Sequence, residues 1–303
     1  MPQNDSLTSG NEPLPYIKRT RYYYSVLGYG APYEWARYEE VPFSKLLKPL
    51  SSCTVGLVTT AAPYQEDKGD QGPHAPYNAA AKFFQVYSLP SSQMPDLRIS
   101  HIAIDRQHTV ASDIGAYFPL KAIQRAKERG EIGQVSTRFY GLPTNRSKRT
   151  TIDVDCEALL SLCKEDNVDI ALLLPNCPVC HQSVSLAART LEAAGIVTVV
   201  MGCAKDIVEC VGVPRMLFSD FPLGNAAGLP HNEHSQQVTL QLALELAESA
   251  VAPRTTHRSP LQWPGDPNWK DDYSNPDKLD ASEIARRRKE FDEAKRVAKL
   301  KQG

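Results

Sequence analysis

The strongest constraint on this chain is Ile170-Ala171-Leu172-Leu173-Leu174, followed at once by Pro175-Asn176-Cys177-Pro178-Val179-Cys180-His181. Five consecutive apolar residues have the length and composition of a buried strand. From Val179 to Ala194 the apolar residues recur at helical spacing. Two thiols and an imidazole therefore stand where a strand ends and a helix begins. In an open α/β sheet that is where ligands bind. A helix N-terminus also offers free N–H groups and a positive dipole end, which favour a thiolate.

The rest of the chain repeats strand and helix with connections of helical length. Strands are predicted over 53–62, 97–104, near 135–140, over 196–201 and, as the last, over 214–218. Helices are predicted over 17–27, 120–128 (closed by Gly130), 156–164 (capped by Asp155), 179–194, 205–210 and 235–250. This order predicts an α/β fold: a mainly parallel, doubly wound sheet with helices on both faces. Residues 1–14 read as disordered and 15–251 as the catalytic domain. An aromatic arm from Tyr16 to Trp35 opens that domain. Residues 252–303 read as a Pro-rich wrapping tail with a charged terminal helix capped by Asp280. Its alternating charges read as a solvated face without chemistry. The polar loop over 63–78 is long enough to be a lid or binding loop.

The chain has 303 residues, 42% hydrophobic and 23% charged, with a formal net charge of −1. Near-neutral charge argues against nucleic acid and anionic membranes as partners. No apolar run suits a bilayer span, and the N-terminus has no signal-peptide pattern. Seven cysteines are an odd number. Without an export signal they are expected to be reduced thiols of a cytoplasmic protein.

Cys177 and Cys180 form a C-x-x-C. At a helix start the first thiol of such a pair is usually the exposed one with the lowered pKa. A redox or nucleophilic pair, half of a zinc site, and two ordinary thiols all fit the spacing, although no second C-x-x-C exists to complete a structural zinc. His181 can assist a thiolate, or serve as a cap or core contact. His101, Asp105, His108 and Asp113 form a second polar cluster at a strand end. Metal binding, proton handling and a hydrogen-bonded loop all fit it. Thr59 and Thr60 end the first strong strand with hydroxyls suited to lining a site. Cys203 stands beyond another strand end, and Asn225 lies in a Gly/Pro loop.

Taken in order, several segments resemble the selenoprotein B component of glycine, sarcosine and betaine reductases and its relative in D-proline reductase. They are Val41-Pro42-Phe43-Ser44-Lys45-Leu46-Leu47-Lys48-Pro49-Leu50, Leu57-Val58-Thr59-Thr60, and His101 with Asp105. Tyr117-Phe118-Pro119-Leu120, Gly130-Glu131-Ile132-Gly133, the cysteine corner and Phe221-Pro222-Leu223-Gly224-Asn225 complete the set. The resemblance covers roughly residues 16–250. It places Cys177 at the family's selenocysteine, Cys180 at the next cysteine, and Ser183 where a last cysteine would stand.

The resemblance implies reductive cleavage of a carbon–heteroatom bond, with electrons from a thioredoxin-type system. Cys177 would be the nucleophile, Cys180 the resolving thiol, and His181 an aid to the thiolate. Thr59, Thr60, His101, Asp105, His108 and Asn225 would bind the substrate or handle its protons. Family members also work with a pyruvoyl-bearing partner subunit. The expectation is an enzyme on a small polar molecule, with a redox partner protein, a homo-oligomeric state and no firmly implied cofactor. One alternative is a metal-binding protein using Cys177, Cys180, His101 and His181. Another is a non-catalytic subunit that binds a partner.

Overall fold

A computed structural model describes residues 12–66, 82–99, 101, 103–266 and 268–302. Most of the loop expected over 63–78 lies outside them.

The strands are β1 (Thr54–Thr59), β2 (Ala62–Pro63), β3 (Tyr87–Pro90), β4 (Leu97–Arg98), β5 (Gln134–Val135), β6 (Arg138–Gly141), β7 (Ile170–Leu174), β8 (Val197–Gly202), β9 (Arg215–Phe218) and β10 (Thr255–Arg258). The main sheet runs β10-β9-β8-β7-β1-β6-β3, with β5 pairing the start of β1. Its neighbours pair parallel except β3, which is antiparallel to β6. β2 and β4 form a separate antiparallel pair. The helices are α1 (Tyr16–Leu27), α2 (Leu120–Glu128), α3 (Lys148–Thr150), α4 (Glu157–Glu165), α5 (Pro178–Ala193), α6 (Lys205–Val211), α7 (Glu233–Ser249), α8 (Trp269–Asp272) and α9 (Ala281–Gln302).

The apolar run of β7 alternates between two cores. Leu172 and Leu174 join Leu57, Val199 and Met201 beneath α2 and α7. Ala171 and Leu173 join Val58, Val200 and Phe218 beneath α4, α5 and α6. A strand covered on both faces has no polar side to show, which is why it reads as uninterrupted apolar sequence. The predicted fold class, a mainly parallel sheet with helices on both faces, is the one observed.

The connection leaving β1 runs through α2 on the first face, and that leaving β7 through α5 on the second. β1 and β7 are neighbours in register from Val55↔Ile170 to Thr59↔Leu174. The switch point of the sheet therefore lies between the ends of these two strands, where open α/β folds bind ligands.

Several expectations are corrected. Thr255–Arg258, expected within the irregular tail, is an edge strand, so β9 is not the last. Its polar residues are half-buried or exposed, and an edge position tolerates them. Among the described residues of the predicted 97–104 strand, only Leu97–Arg98 is extended within β pairing, opposite Pro63 and Ala62. Asp155 does not cap a helix. It lies inside a π-helical turn over Thr151–Cys156 and accepts from Asn145 Nδ2 at 2.6 Å. Leu14, placed in the disordered segment, is buried beside Tyr16, Ile207 and Phe221. Asp280 does cap α9, accepting from the N–H of Glu283 at 2.8 Å.

Candidate active site

The corner begins at Thr60, one residue beyond β1. Its hydroxyl accepts from the backbone N–H of Asn176 at 3.1 Å and from Asn176 Nδ2 at 3.2 Å, and its own N–H donates to Leu174 O. These bonds clamp the turn that leaves β7. Cys177 then takes extended backbone as the N-cap of α5, with Pro178 in the first turn. Proline suits that turn because the N–H it lacks has no partner within the helix. Cys177 Sγ accepts the N–H of Cys180 at 3.3 Å. A helix cap thus presents one thiol and tucks the second beneath it.

The two sulfurs lie 2.7 Å apart. Cys177 borders a cavity of about 1010 Å³, whereas Cys180 is fully buried behind it. Thr144 Oγ1 is 3.1 Å from Cys180 Sγ. His101 Nε2 is 2.9 Å from Thr60 O. A carbonyl only accepts, so this nitrogen carries a proton and leaves the other to face Cys180. Burial opposes a thiolate at Cys180, but hydrogen bonds from Cys177, His101 and Thr144, with the charge of His101, hold that thiol well below its ordinary range. Cys177 is pushed well above it, by burial and by Cys180. Within the pair, Cys180 is the better acid and Cys177 the donor to it. This reverses the expectation for a C-x-x-C at a helix start, because the Cys180 sulfur collects more hydrogen bonds than the capping one.

His181 is fully buried and turned away from the sulfurs. Its Nδ1 donates to Cys177 O at 2.8 Å, and its Nε2 accepts from the N–H groups of Cys203 and Ala204 at 3.0 and 3.1 Å. Burial first of all lowers its pKa to about 4, so the ring is neutral. With both nitrogens committed, it fastens the end of β8 to the corner and has none left for a thiolate. A Cβ at Gly202 would lie 2.9 Å from this ring, so the close approach needs glycine there.

The other expected residues divide. Asp105 and His101 border the cavity with Cys177. Asp105 Oδ1 accepts from the N–H groups of Gln107 and His108, both at 3.1 Å. Among the described residues its Oδ2 is buried without a partner, and burial raises its pKa. His108 pairs with Asp272 of α8 at 3.0 Å. Thr59 accepts from Ala61 N at 3.1 Å and so shapes the strand end. Asn225 donates to Thr109 Oγ1 and Pro222 O, holding its loop. Cys203 packs with Leu14 and Phe221 in a separate core, where burial pushes its thiol up to about 12.

Sequence reasoning passed over Lys82, Thr144 and Arg146, which line the cavity from outside the predicted strands and helices. It also passed over the cavity's outer wall. Tyr24, Tyr29 and Tyr33 come from the N-terminal arm, and Arg286, Arg287 and Phe291 from α9. Tyr29 stacks on Phe291 with ring centres 4.0 Å apart. The clustering of aromatics in the arm was the available signal.

His101, Cys177 and Cys180 offer ligand atoms within 4.8 Å of one another. A tetrahedral zinc with Zn–S near 2.3 Å needs its sulfurs about 3.8 Å apart. The pair would open by about 1 Å to take such an ion.

Fold and site together define a class: a doubly wound α/β protein with a buried dithiol at the switch point of its sheet. Within that class the chain is similar to the D-proline reductase subunit gamma of Acetoanaerobium sticklandii, 29% identical over 199 residues, which is 64% of this chain and 78% of that subunit. No protein-family model matches the chain, and no solved structure does. Among the described residues no helix is long and apolar enough to cross a membrane.

Proposed function

We propose that this chain is a thiol-dependent reductase subunit that cleaves a carbon–heteroatom bond beside a carbonyl group of a small polar molecule. The observation that carries the reading is Cys177 at the wall of a large cavity with Cys180 Sγ 2.7 Å behind it. The similarity to a D-proline reductase subunit supports a reductive reaction of this kind.

Cys177 attacks the carbon and passes its proton to Cys180. The carbon–heteroatom bond breaks, and the leaving group departs with the electron pair and takes the proton that the charged His101 holds toward Cys180, which leaves that ring neutral. Cys180 loses its proton toward His101 and attacks the sulfur of Cys177. A disulfide forms, and the carbon leaves with the second electron pair, which the carbonyl delocalises until the carbon is protonated. The substrate gains two electrons and the dithiol loses them. An external dithiol protein of thioredoxin type restores the pair. Like the subunit it resembles, the chain works within a multi-subunit assembly.

The test is intact-mass analysis of turnover mixtures. Cys177→Ser abolishes turnover and leaves no adduct. Cys180→Ser arrests at a covalent adduct on Cys177, because nothing resolves it. Turnover that survives Cys177→Ser would sink the reading.

A second reading rests on the three ligand atoms around Cys180. One equivalent of zinc that co-purifies with the protein and is lost in both His101→Ala and Cys180→Ser would make the pair a ligand set instead.

A further inference from the structure

α9 lines the cavity with Arg286, Arg287, Glu290 and Phe291, and Cys177 borders the same space. Arg287, Glu290 and Phe291 recur at i, i+3 and i+4 and so share one helical face. Every described side chain of α9 is half-buried or exposed, and none belongs to a hydrophobic core. Among the described residues, its hydrogen bonds and ring contacts with the body all reach the arm. Phe291 stacks on Tyr29 and meets Tyr24 edge-on. The Tyr29 hydroxyl donates to Arg287 O at 2.9 Å, and Arg287 Nη1 donates to the Tyr23 hydroxyl at 3.1 Å. The arm's own helix is anchored, with Tyr16 and Leu27 buried.

The ion pairs of α9 are internal: Glu283 with Arg286 and Arg287, Arg286 with Glu290, and Glu293 with Arg296. Pairs at this spacing support a helix without help from the body. An element with few buried apolar contacts belongs to the part of a fold that opens most readily. α9 is thus a stiff piece, tied to the chain at Leu279–Asp280 and fastened across the cavity by three tyrosines.

The chemistry proposed above needs that piece to move. Cys177 is 4% exposed and Cys180 fully buried. The disulfide they form is reduced by an external dithiol protein, whose thiolate must reach one of the two sulfurs. A wall that stays shut keeps a protein thiol out. Before that, the adduct on Cys177 must be kept from foreign thiols until Cys180 resolves it. A wall closed for the first half of the cycle and open for the second meets both needs.

We propose that α9 is a hinged lid, which turns about Leu279–Asp280 to uncover Cys177 and closes again on Tyr24 and Tyr29. This deepens the reading of Cys177 and Cys180 as the reacting pair and rests on it.

Iodoacetamide and its N-adamantyl derivative are neutral and carry the same CH₂–I carbon, so bulk is what separates them. With either, the S–C bond forms, iodide leaves with the electron pair and the thiol proton goes to buffer. Alkylation of Cys177 in the full chain is followed by peptide mapping, with each rate divided by that of N-acetylcysteine. The bulky-to-small rate ratio should lie about tenfold or more below that of the free thiol, because the bulky reagent waits for the open state. Tyr23→Phe with Tyr29→Phe removes two fastening hydroxyls and keeps every ring, so the ratio should rise severalfold. Phe291→Ala should raise it further. A ratio equal to that of the free thiol, or one that the tyrosine pair leaves unchanged, makes α9 a fixed wall and overturns the lid while the nucleophile stands. A Cys177 inert to both reagents in all three proteins overturns the lid and the nucleophile together.

Discussion

Glu192 and Asp105 are two carboxylates buried to the same degree, each 2% exposed. Burial raises the pKa of both. Their partners differ. Glu192 Oε1 accepts from Arg215 Nη1 at 2.7 Å and from the N–H and hydroxyl of Thr198 at 2.6 and 3.0 Å. Its Oε2 accepts from Ser44 N, and Arg215 reaches on to Ser44 O. One carboxylate thus pins the 43–44 segment, α5, β8 and β9 together. Among the described residues Asp105 has two backbone donors on Oδ1 and none on Oδ2, and it borders the cavity. A buried acid with both oxygens filled is scaffold. One left half-filled beside a cavity is waiting for a group the protein does not supply.

The largest effect should come from breaking the filled one. Glu192→Ala strands the Arg215 guanidinium and should cost about 3–5 kcal/mol in urea unfolding. The paired change Glu192→Leu with Arg215→Met should return most of that loss, because removing both charges avoids the desolvation that a lone one suffers. A double variant as unstable as the single would mean that the pair does more than cancel its own charges.

His181 sharpens the contrast by pH. Its folded pKa of about 4 lies below the ordinary value near 6.5. The unfolded chain then binds a proton that the folded chain refuses. The contribution is full above pH 6.5 and is lost as pH falls toward 4, by about 3 kcal/mol. Stability measured from pH 7 to pH 4 should lose this acid limb in His181→Gln. A limb of equal depth in the variant would assign it to other groups.

The smallest effect on stability should come from Asp105→Asn. The change removes a charge without a full set of partners, so unfolding should shift by no more than about 1 kcal/mol. Turnover should still fall. A loss of stability as large as that of Glu192→Ala would erase the distinction between the two acids.

What was legible in the sequence follows the same division. Leu172 to Leu174 and the helical spacing after Val179 identify a doubly covered strand and its helix, since burial on both faces leaves no alternative pattern. Cys177 and Cys180 were legible because a helix start constrains where their sulfurs can go. His181 was not, because its role depends on the backbone of Cys203 and Ala204, more than twenty residues on. Thr255–Arg258 was missed because an edge strand needs no apolar alternation. The α9 wall was missed because long charged side chains beside an aromatic arm have the composition of a solvated face.

The cavity wall has a consequence for how the protein comes to exist. The sheet that carries its thiols is made by the end of β9, but Tyr273 and Phe291, which also line it, come later, and Phe291 follows its stacking partner Tyr29 by more than 250 residues. During synthesis, at about 5–20 residues per second, the nascent chain carries Cys177 and Cys180 in a fold whose outer aromatic wall has not yet been built. For several seconds Cys177 stands without that wall before it. The last helix is then as much a guard over a finished centre as a part of it.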